Sequence, residues 1–275
     1  MSDRETRVVI AAPTYGSPLQ ISMIEIFKKL FKPEEMALRS LTGEADLQKD
    51  RFRQALEQTR PTALIALDIR PDPDIVSLYK TANIPIILFD EEAAGVSTIA
   101  IDNYKGGHMA GEYLVGKGKK KIAIVTGRTK IKGGYNAERR LSGFQQALKE
   151  KGVSLPNGYV IEVMYYSRED GIDVMPKLLA MGIDSIFCAA GDNCAQGLLS
   201  VAKDRGVRIP EDVAIVGFDD LPIARLSTPA LTTIRQPLKE MAEMAYKMAV
   251  NQRDEILHHP KNILFNPEMV IRKSA

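Results

Sequence analysis

Short apolar runs alternate with longer amphipathic stretches along almost the whole chain. Val8–Ala12, Ala63–Leu67, Ile84–Phe89, Lys121–Val125, Ser185–Ala189 and Val213–Phe218 are aliphatic, β-branched runs that suit strands buried on both faces. Ala37–Leu41, Thr98–Ile101, Val160–Tyr165 and Leu231–Ile234 are shorter or more mixed runs of the same kind. Between them the spacing of apolar positions predicts helices over Gln20–Phe31, Leu47–Thr59, Gly106–Val115, Glu138–Lys149, Asp170–Met181, Cys194–Asp204 and Leu238–Val250, with a short one after residues 71–74. Strand and helix in strict alternation argue for the α/β class, with parallel sheets flanked by helices. Pro176 is expected early in its helix or at a kink. The helix Gln20–Phe31 spreads Met23, Ile24, Ile26, Phe27, Leu30 and Phe31 over an arc wider than the ~100° one core needs, which predicts a second packing surface. Met241, Met244, Ala245 and Met248 fall on one narrow stripe and read as core filler.

Polar residues stand at the carboxyl ends of the strand-like runs. Thr14, Tyr15 and Ser17 come after the first run, Asp68 and Asp90 end the third and fourth, and Thr126, Tyr165, Tyr166, Asp192 and Asp219 end later ones. Carboxyl ends of parallel strands lie along one sheet edge, which is where open α/β sheets bind ligands. Two such edges facing each other would line a cleft with carboxylates, hydroxyls and aromatic faces, an inventory suited to a small polar ligand with a ring-shaped body. Taken alone, Asp219–Asp220 fits a turn pair as well as a ligand site, and Arg140 reads as a surface arginine early in a helix.

The segment Val213–Pro237, VAIVGFDDLPIARLSTPALTTIRQP, resembles the C-terminal signature of the lactose-repressor (LacI/GalR) family of bacterial transcription regulators. Ile101–Gly127, IDNYKGGHMAGEYLVGKGKKKIAIVTG, resembles that family's lobe-crossing segment, and Glu138–Phe144, ERRLSGF, its arginine-bearing helix start. Ile263–Ser274, ILFNPEMVIRKS, is similar to its closing strand pair. The resemblance implies a two-lobed, periplasmic binding protein-like type I fold, each lobe a parallel sheet flanked by helices. The lobes are expected at residues 6–103 plus 237–260 and 104–236 plus 261–275, with crossings near Asn103, Gln236 and Asn262. It further implies a homodimer that binds a small polar effector, a sugar, nucleoside or related molecule, and performs no chemistry; a cytoplasmic location is expected from the opening residues and the lack of a membrane span. Arg140, Asp219, Asp90, Tyr166 and Gln236 match the family's ligand positions, and Tyr15 and Asp192 join them as strand-end residues. Asp68 and Asp220 are read as caps or hinge supports. Family members open with a helix-turn-helix headpiece of about 60 residues that reads the major groove, so DNA is expected as a partner only through a headpiece this chain does not carry.

The chain departs from the pattern in several places. Gly191–Asp192 stands where many sugar-binding relatives have Asn-Asp, Gly118–Lys119 replaces Gly-His, and PTYGSP replaces the usual first-strand loop. With no tryptophan present, a hexose site built on indole stacking is disfavoured, and the effector stays open.

Bulk properties narrow the classes. A length of 275 residues fits two lobes better than one core, and 37 basic against 35 acidic residues leave a net charge of +2, too balanced for a nucleic-acid-coating surface. The basic run Lys117–Lys121 is most simply a solvated loop. Cys188 and Cys194 form no metal pattern and are expected as reduced thiols, and adjacent His258 and His259 lack a third ligand, so no metal or cofactor is expected. No apolar run approaches the roughly 18 residues of a membrane span. The opening MSDRETR does not read as a secretory signal, so a transport receptor of the same fold is the expected runner-up rather than the leading reading. An enzyme is the third alternative, but there is no GxSxG, HExxH or GxGxxG after a strand. GEYLVGKG, residues 111–118, mimics a phosphate loop but ends in glycine and follows a helical pattern.

Overall fold

The computed structural model describes residues 6–13, 17–43, 45–91, 93–130 and 134–275. The chain divides into two compact units, Met1–Ile101 with Pro237–Phe265, and Asp102–Gln236 with Asn266–Ala275.

The first unit contains β1 (Val8–Ala12), α1 (Pro18–Leu30), β2 (Met36–Ser40), α2 (Ala45–Thr59), β3 (Ala63–Leu67), α3 (Pro73–Thr81), β4 (Ile86–Phe89) and β5 (Ser97–Ile101). The second runs through α4 (Asn103–Gly116), β6 (Ile122–Gly127), α5 (Tyr135–Glu150), β7 (Val160–Val163), α6 (Arg168–Ala180), β8 (Ser185–Cys188), α7 (Asp192–Asp204), β9 (Ala214–Asp219), α8 (Pro222–Leu226) and β10 (Thr232–Arg235). The chain then returns to the first unit as α9 (Leu238–Asn251), α10 (Arg253–His258) and β11 (Asn262–Phe265), and ends in the second with β12 (Glu268–Val270).

The first sheet has the order β2-β1-β3-β4-β5-β11 and every pairing in it is parallel. The second repeats the layout as β7-β6-β8-β9-β10-β12, with β12 antiparallel to β10. Helices cover both faces of each sheet, so successive strand residues enter opposite cores. In β1, Val8, Ile10 and Ala12 pack with α1 and α9, while Val9 and Ala11 pack with α2 and α3. In β6, Ile122 and Ile124 join the α4 and α5 layer, and Ala123 and Val125 the α6 and α7 layer. Continuous apolar runs are the sequence mark of such two-sided burial.

Two helix pairs of the second unit meet backbone to backbone. A Cβ on Gly107 would collide with the Arg140 carbonyl, and one on Gly143 with the Tyr104 carbonyl, so α4 and α5 approach through reciprocal glycines. Gly171 and Gly197 do the same for α6 and α7, against the carbonyls of Cys194 and Arg168.

Several expectations change. The wide apolar arc of α1 is met largely within its own unit: Met23, Ile24, Phe27 and Phe31 are buried, and α9 covers part of the remainder, with Phe31 4.8 Å from the Tyr246 ring. Ile21 stays 48% exposed. The second lobe was expected to take everything from residue 261, but β11 adds parallel to β5 with Thr98 Oγ1 bonded to Asn262 Oδ1, so the division falls after Phe265. Of the two places expected for Pro176, the first turn is excluded, since it lies well inside α6. The short helices α8 and α10 lie outside the helices that the apolar spacing predicts. Residues 111–116 end α4, and the GEYLVGKG segment therefore has no strand-to-helix loop to cradle phosphate. Among the described residues no helix is long and apolar enough to cross a membrane.

The glycine contact yields a stability prediction. Gly143→Ala should force α4 and α5 apart and lower the unfolding free energy by about 1–3 kcal/mol. A urea titration followed by far-UV circular dichroism checks it, and an unchanged midpoint would refute the close-approach account.

Candidate effector site

The five parallel strands of the second sheet, β6 to β10, deliver their last residues to one edge, and the switch in winding direction lies between β6 and β8. Loops at such a point diverge and leave room for a ligand. Five of the seven non-glycine residues with positive φ, among those described, stand at strand ends: Asp68 and Asp90 in the first unit, and Tyr166, Asp219 and Asp220 in the second. The other two, Arg60 and Asn83, come just after helices. Strain of this kind, of order 1–3 kcal/mol per residue, persists where surrounding contacts hold it, and it concentrates at functional edges.

Arg140 is the centre of the edge. It sits in the second turn of α5, is only 7% exposed, and has its guanidinium carbon 3.7 Å from the centre of the Phe218 ring. Nε donates to Asn103 Oδ1 at 2.6 Å and Nη1 to the Ala189 carbonyl at 2.9 Å. The ring beneath it belongs to a row of phenylalanines, Phe144, Phe187 and Phe218, with centroids 5.2 and 6.3 Å apart. The cation is therefore placed by one helix start, one strand end and one aromatic face.

Asp219 ends β9 with φ of 105° and is 8% exposed. Its Oδ1 accepts from Gln236 Nε2 at 2.6 Å, and Gln236 is the last residue of the second unit before Pro237. Gly191, at φ 98°, lies against the same carboxylate: a Cβ there would stand 2.8 Å from Asp219 Oδ2. Tyr166, beyond β7, lays its hydroxyl against Gly127, where any side chain would collide, and remains 39% exposed.

Asp192 corrects an expectation. Placed among the ligand residues by its strand-end position, it is fully buried at the start of α7. Its Oδ2 accepts from the Leu221 amide at 2.8 Å and its Oδ1 from the Thr233 hydroxyl at 2.6 Å. Gly217 makes room for it, since a Cβ there would overlap Asp192 Oδ1. Asp192 therefore braces the β8, β9 and β10 ends from below and presents no surface to a ligand. Burial, and then the charge of Asp219, pushes its carboxyl well above the ordinary range, against the pull of the Thr233 and Leu221 donors.

Asp220 accepts from Arg235 Nε at 2.7 Å and Arg272 Nη2 at 2.6 Å, which fits its reading as a support. In the first unit Asp68 accepts from Gln20 Nε2 at 3.2 Å, and buried Asp90 accepts from the Ile101 amide at 3.4 Å. Tyr15 lies outside the described residues. Cys188 and Cys194 are free and buried, and among the described residues no three His, Cys, Asp or Glu side chains gather as metal ligands. The residues that sequence reasoning passed over are Asn103, read as marking a lobe crossing, and Phe218, read only as part of a strand.

Comparison with known proteins gives this edge a family context. Residues 112–275 match the periplasmic binding protein-like domain family. The PurR transcriptional repressor of Escherichia coli O1:K1 / APEC is 32% identical over 241 residues, covering 84% of this chain and 68% of the repressor. The chain belongs to the LacI family. Within the LacI family it spans the effector-binding core, and the relatives are transcription regulators, not enzymes. The fold agrees with the regulator CcpA of Lactococcus lactis, at a TM-score of 0.85 and 24% identity, covering 99% of this chain and 100% of that one. It agrees also with a LacI-family regulator of Enterococcus faecium holding ribose, at 0.83 and 20%, covering 98% of each chain. The expected family and its periplasmic binding protein-like fold both stand.

A pH prediction comes from Asp192. The folded chain holds this proton above 3.8, the value at which an ordinary aspartate releases it, so the stability it contributes is full at low pH and is lost as pH rises through that raised range. Asp192→Asn mimics the protonated acid and should remove this dependence. Urea melts at several pH values should show the variant gaining on the wild type as pH rises; a constant difference would refute it.

Proposed function

We propose that this core senses a small polar effector, a sugar or sugar-like molecule, at the second unit's strand-end edge. Binding drives the two lobes to close, and closure changes DNA binding by a headpiece outside this chain. The observation that carries the reading is that Arg140, bonded at the end of β8, and the Asp219–Gln236 pair, at the ends of β9 and β10, stand along one strand-end edge of a LacI-family sheet. Arginine donates to hydroxyl or carbonyl oxygen, the carboxylate accepts from hydroxyls, and the Tyr166 ring offers a face for a C–H surface. Ribose in the E. faecium regulator is consistent with a ligand of this size. Asp90 and Tyr15 complete the proposed set from the first unit. Asp192 is withdrawn from direct contact and supports the loop that carries the Ala189 carbonyl.

The core is further proposed to act as a homodimer. Besides Ile21 on α1, Leu226 and Ile271 of the second unit stand 70% and 62% exposed, apolar surface that a second copy would cover.

Two measurements test these readings. A thermal-shift panel of sugars, nucleosides and small acids identifies the effector; calorimetry should then show Asp219→Ala or Arg140→Ala weakening it by about 10- to 100-fold, the loss of one charge-assisted hydrogen bond. Arg140→Ala should also lower the melting temperature, because it orphans the Ala189 carbonyl and uncovers Phe218. Unchanged affinity in both variants would place the site elsewhere. For the dimer, light scattering at micromolar concentration should report twice the chain mass, with an interface well above ~1,200 Å² in total; a monomer would refute it.

A further inference from the structure

We propose that Asn103 holds Arg140 as a one-armed donor and thereby restricts the site to uncharged ligands. The inference deepens the effector reading above and rests on it. A guanidinium grips a carboxylate or phosphate through two parallel N–H groups, commonly Nε with Nη2. In this chain Nε is already committed to Asn103 Oδ1 at 2.6 Å, and Nη1 donates to the Ala189 carbonyl at 2.9 Å. Nη2 is the one nitrogen of the three without a hydrogen-bond partner among the described residues. The plane cannot turn to free another edge, because Phe218 lies 3.7 Å beneath the guanidinium carbon.

Asn103 is itself fixed. It is 4% exposed, begins α4 behind the Asp102 cap, and donates from Nδ2 to Asn136 Oδ1 at 3.0 Å. A guanidinium only donates, so the amide must present its oxygen to Arg140, and the Asn136 bond agrees with that orientation. Ligand and Asn103 thus compete for one fork. A neutral hydroxyl or carbonyl needs a single N–H and is served by Nη2; an anion is denied the Nε–Nη2 side fork and its two parallel bonds, and is held less tightly. Asp219, beside Phe218 on the same edge, adds a carboxylate that repels anions further. Asn103 is a positioning residue, and its effect is on ligand charge.

Inorganic phosphate is the probe, titrated by calorimetry with chloride holding ionic strength constant. The wild type should take up phosphate weakly. Asn103→Leu, branched like asparagine but without the acceptor, should bind it at least about tenfold more tightly, since Nε and Nη2 become a free fork. Arg140→Lys keeps the charge but has no fork, so Asn103→Leu combined with Arg140→Lys should lose the gain. No gain in Asn103→Leu, or a gain that survives Arg140→Lys, overturns the proposal. If the leucine variant does not fold, Asn103→Ala replaces it. Wild-type phosphate binding as tight as that of Asn103→Leu, and abolished by Arg140→Lys, would overturn it. None of these titrations involves the effector, so their failure leaves the effector reading untouched, and failure of that reading is seen in the calorimetry with the sugar panel.

Discussion

The stack of the Arg140 guanidinium on Phe218 ties the candidate site to the core of the second unit. One side of the phenyl ring belongs to a row of buried aromatics between α5 and the sheet, and the other carries a cation at the sheet's edge. Hydrogen bonds to Asn103 and the Ala189 carbonyl then fix the direction of that charge. Four segments are joined through one side chain: the start of α4, α5, the end of β8 and the end of β9. Burial, which ordinarily opposes a cation, is offset here by two good acceptors and an aromatic face.

The second support is a buried carboxylate. Asp192 occupies the space left by the absent side chain of Gly217 and receives donors from the Leu221 amide and the Thr233 hydroxyl. It connects the turns after β8 and β9 to β10 beneath the surface on which Asp219 sits. Asp219 in turn holds Gln236, where the chain leaves the second unit. The acidic residues at this edge divide by partner: Asp192 braces the strand ends, Asp219 holds Gln236, and Asp220 is occupied by two arginines.

Much of this was legible in the sequence. Strands enclosed on both faces read as unbroken apolar runs, so β1, β3, β6 and β9 stood out. The motif GFDD with LTTIRQP put Asp219 and Gln236 at a strand edge, where the structure has them. What failed depended on depth or on partners distant in sequence. Nothing in the order of residues distinguishes Asp192, buried under the turn after β9, from Asp219, which lies above it. The arc on α1 was real, but its second surface, α9, lies more than two hundred residues later in the chain. Asn103 marked a crossing between lobes, and its acceptor role needs Arg140 in place. β11 joined the first sheet rather than the second because pairing with β5 is a tertiary choice that a four-residue run cannot announce.

The reciprocal glycines carry a consequence for how such a sensor changes its ligand over time. Asn103 and Arg140 stand on the α4–α5 pair and Asp192 on the α6–α7 pair, and in both pairs main chain rests on main chain. Their placement is therefore insensitive to which side chains surround the contact. Drift in the residues that read the ligand can proceed on an unmoving chassis, whereas Gly107, Gly143, Gly171 and Gly197 touch no proposed ligand and still tolerate no side chain. A saturation-mutagenesis map of this core would show its most intolerant positions at those four glycines, away from the residues that recognise anything.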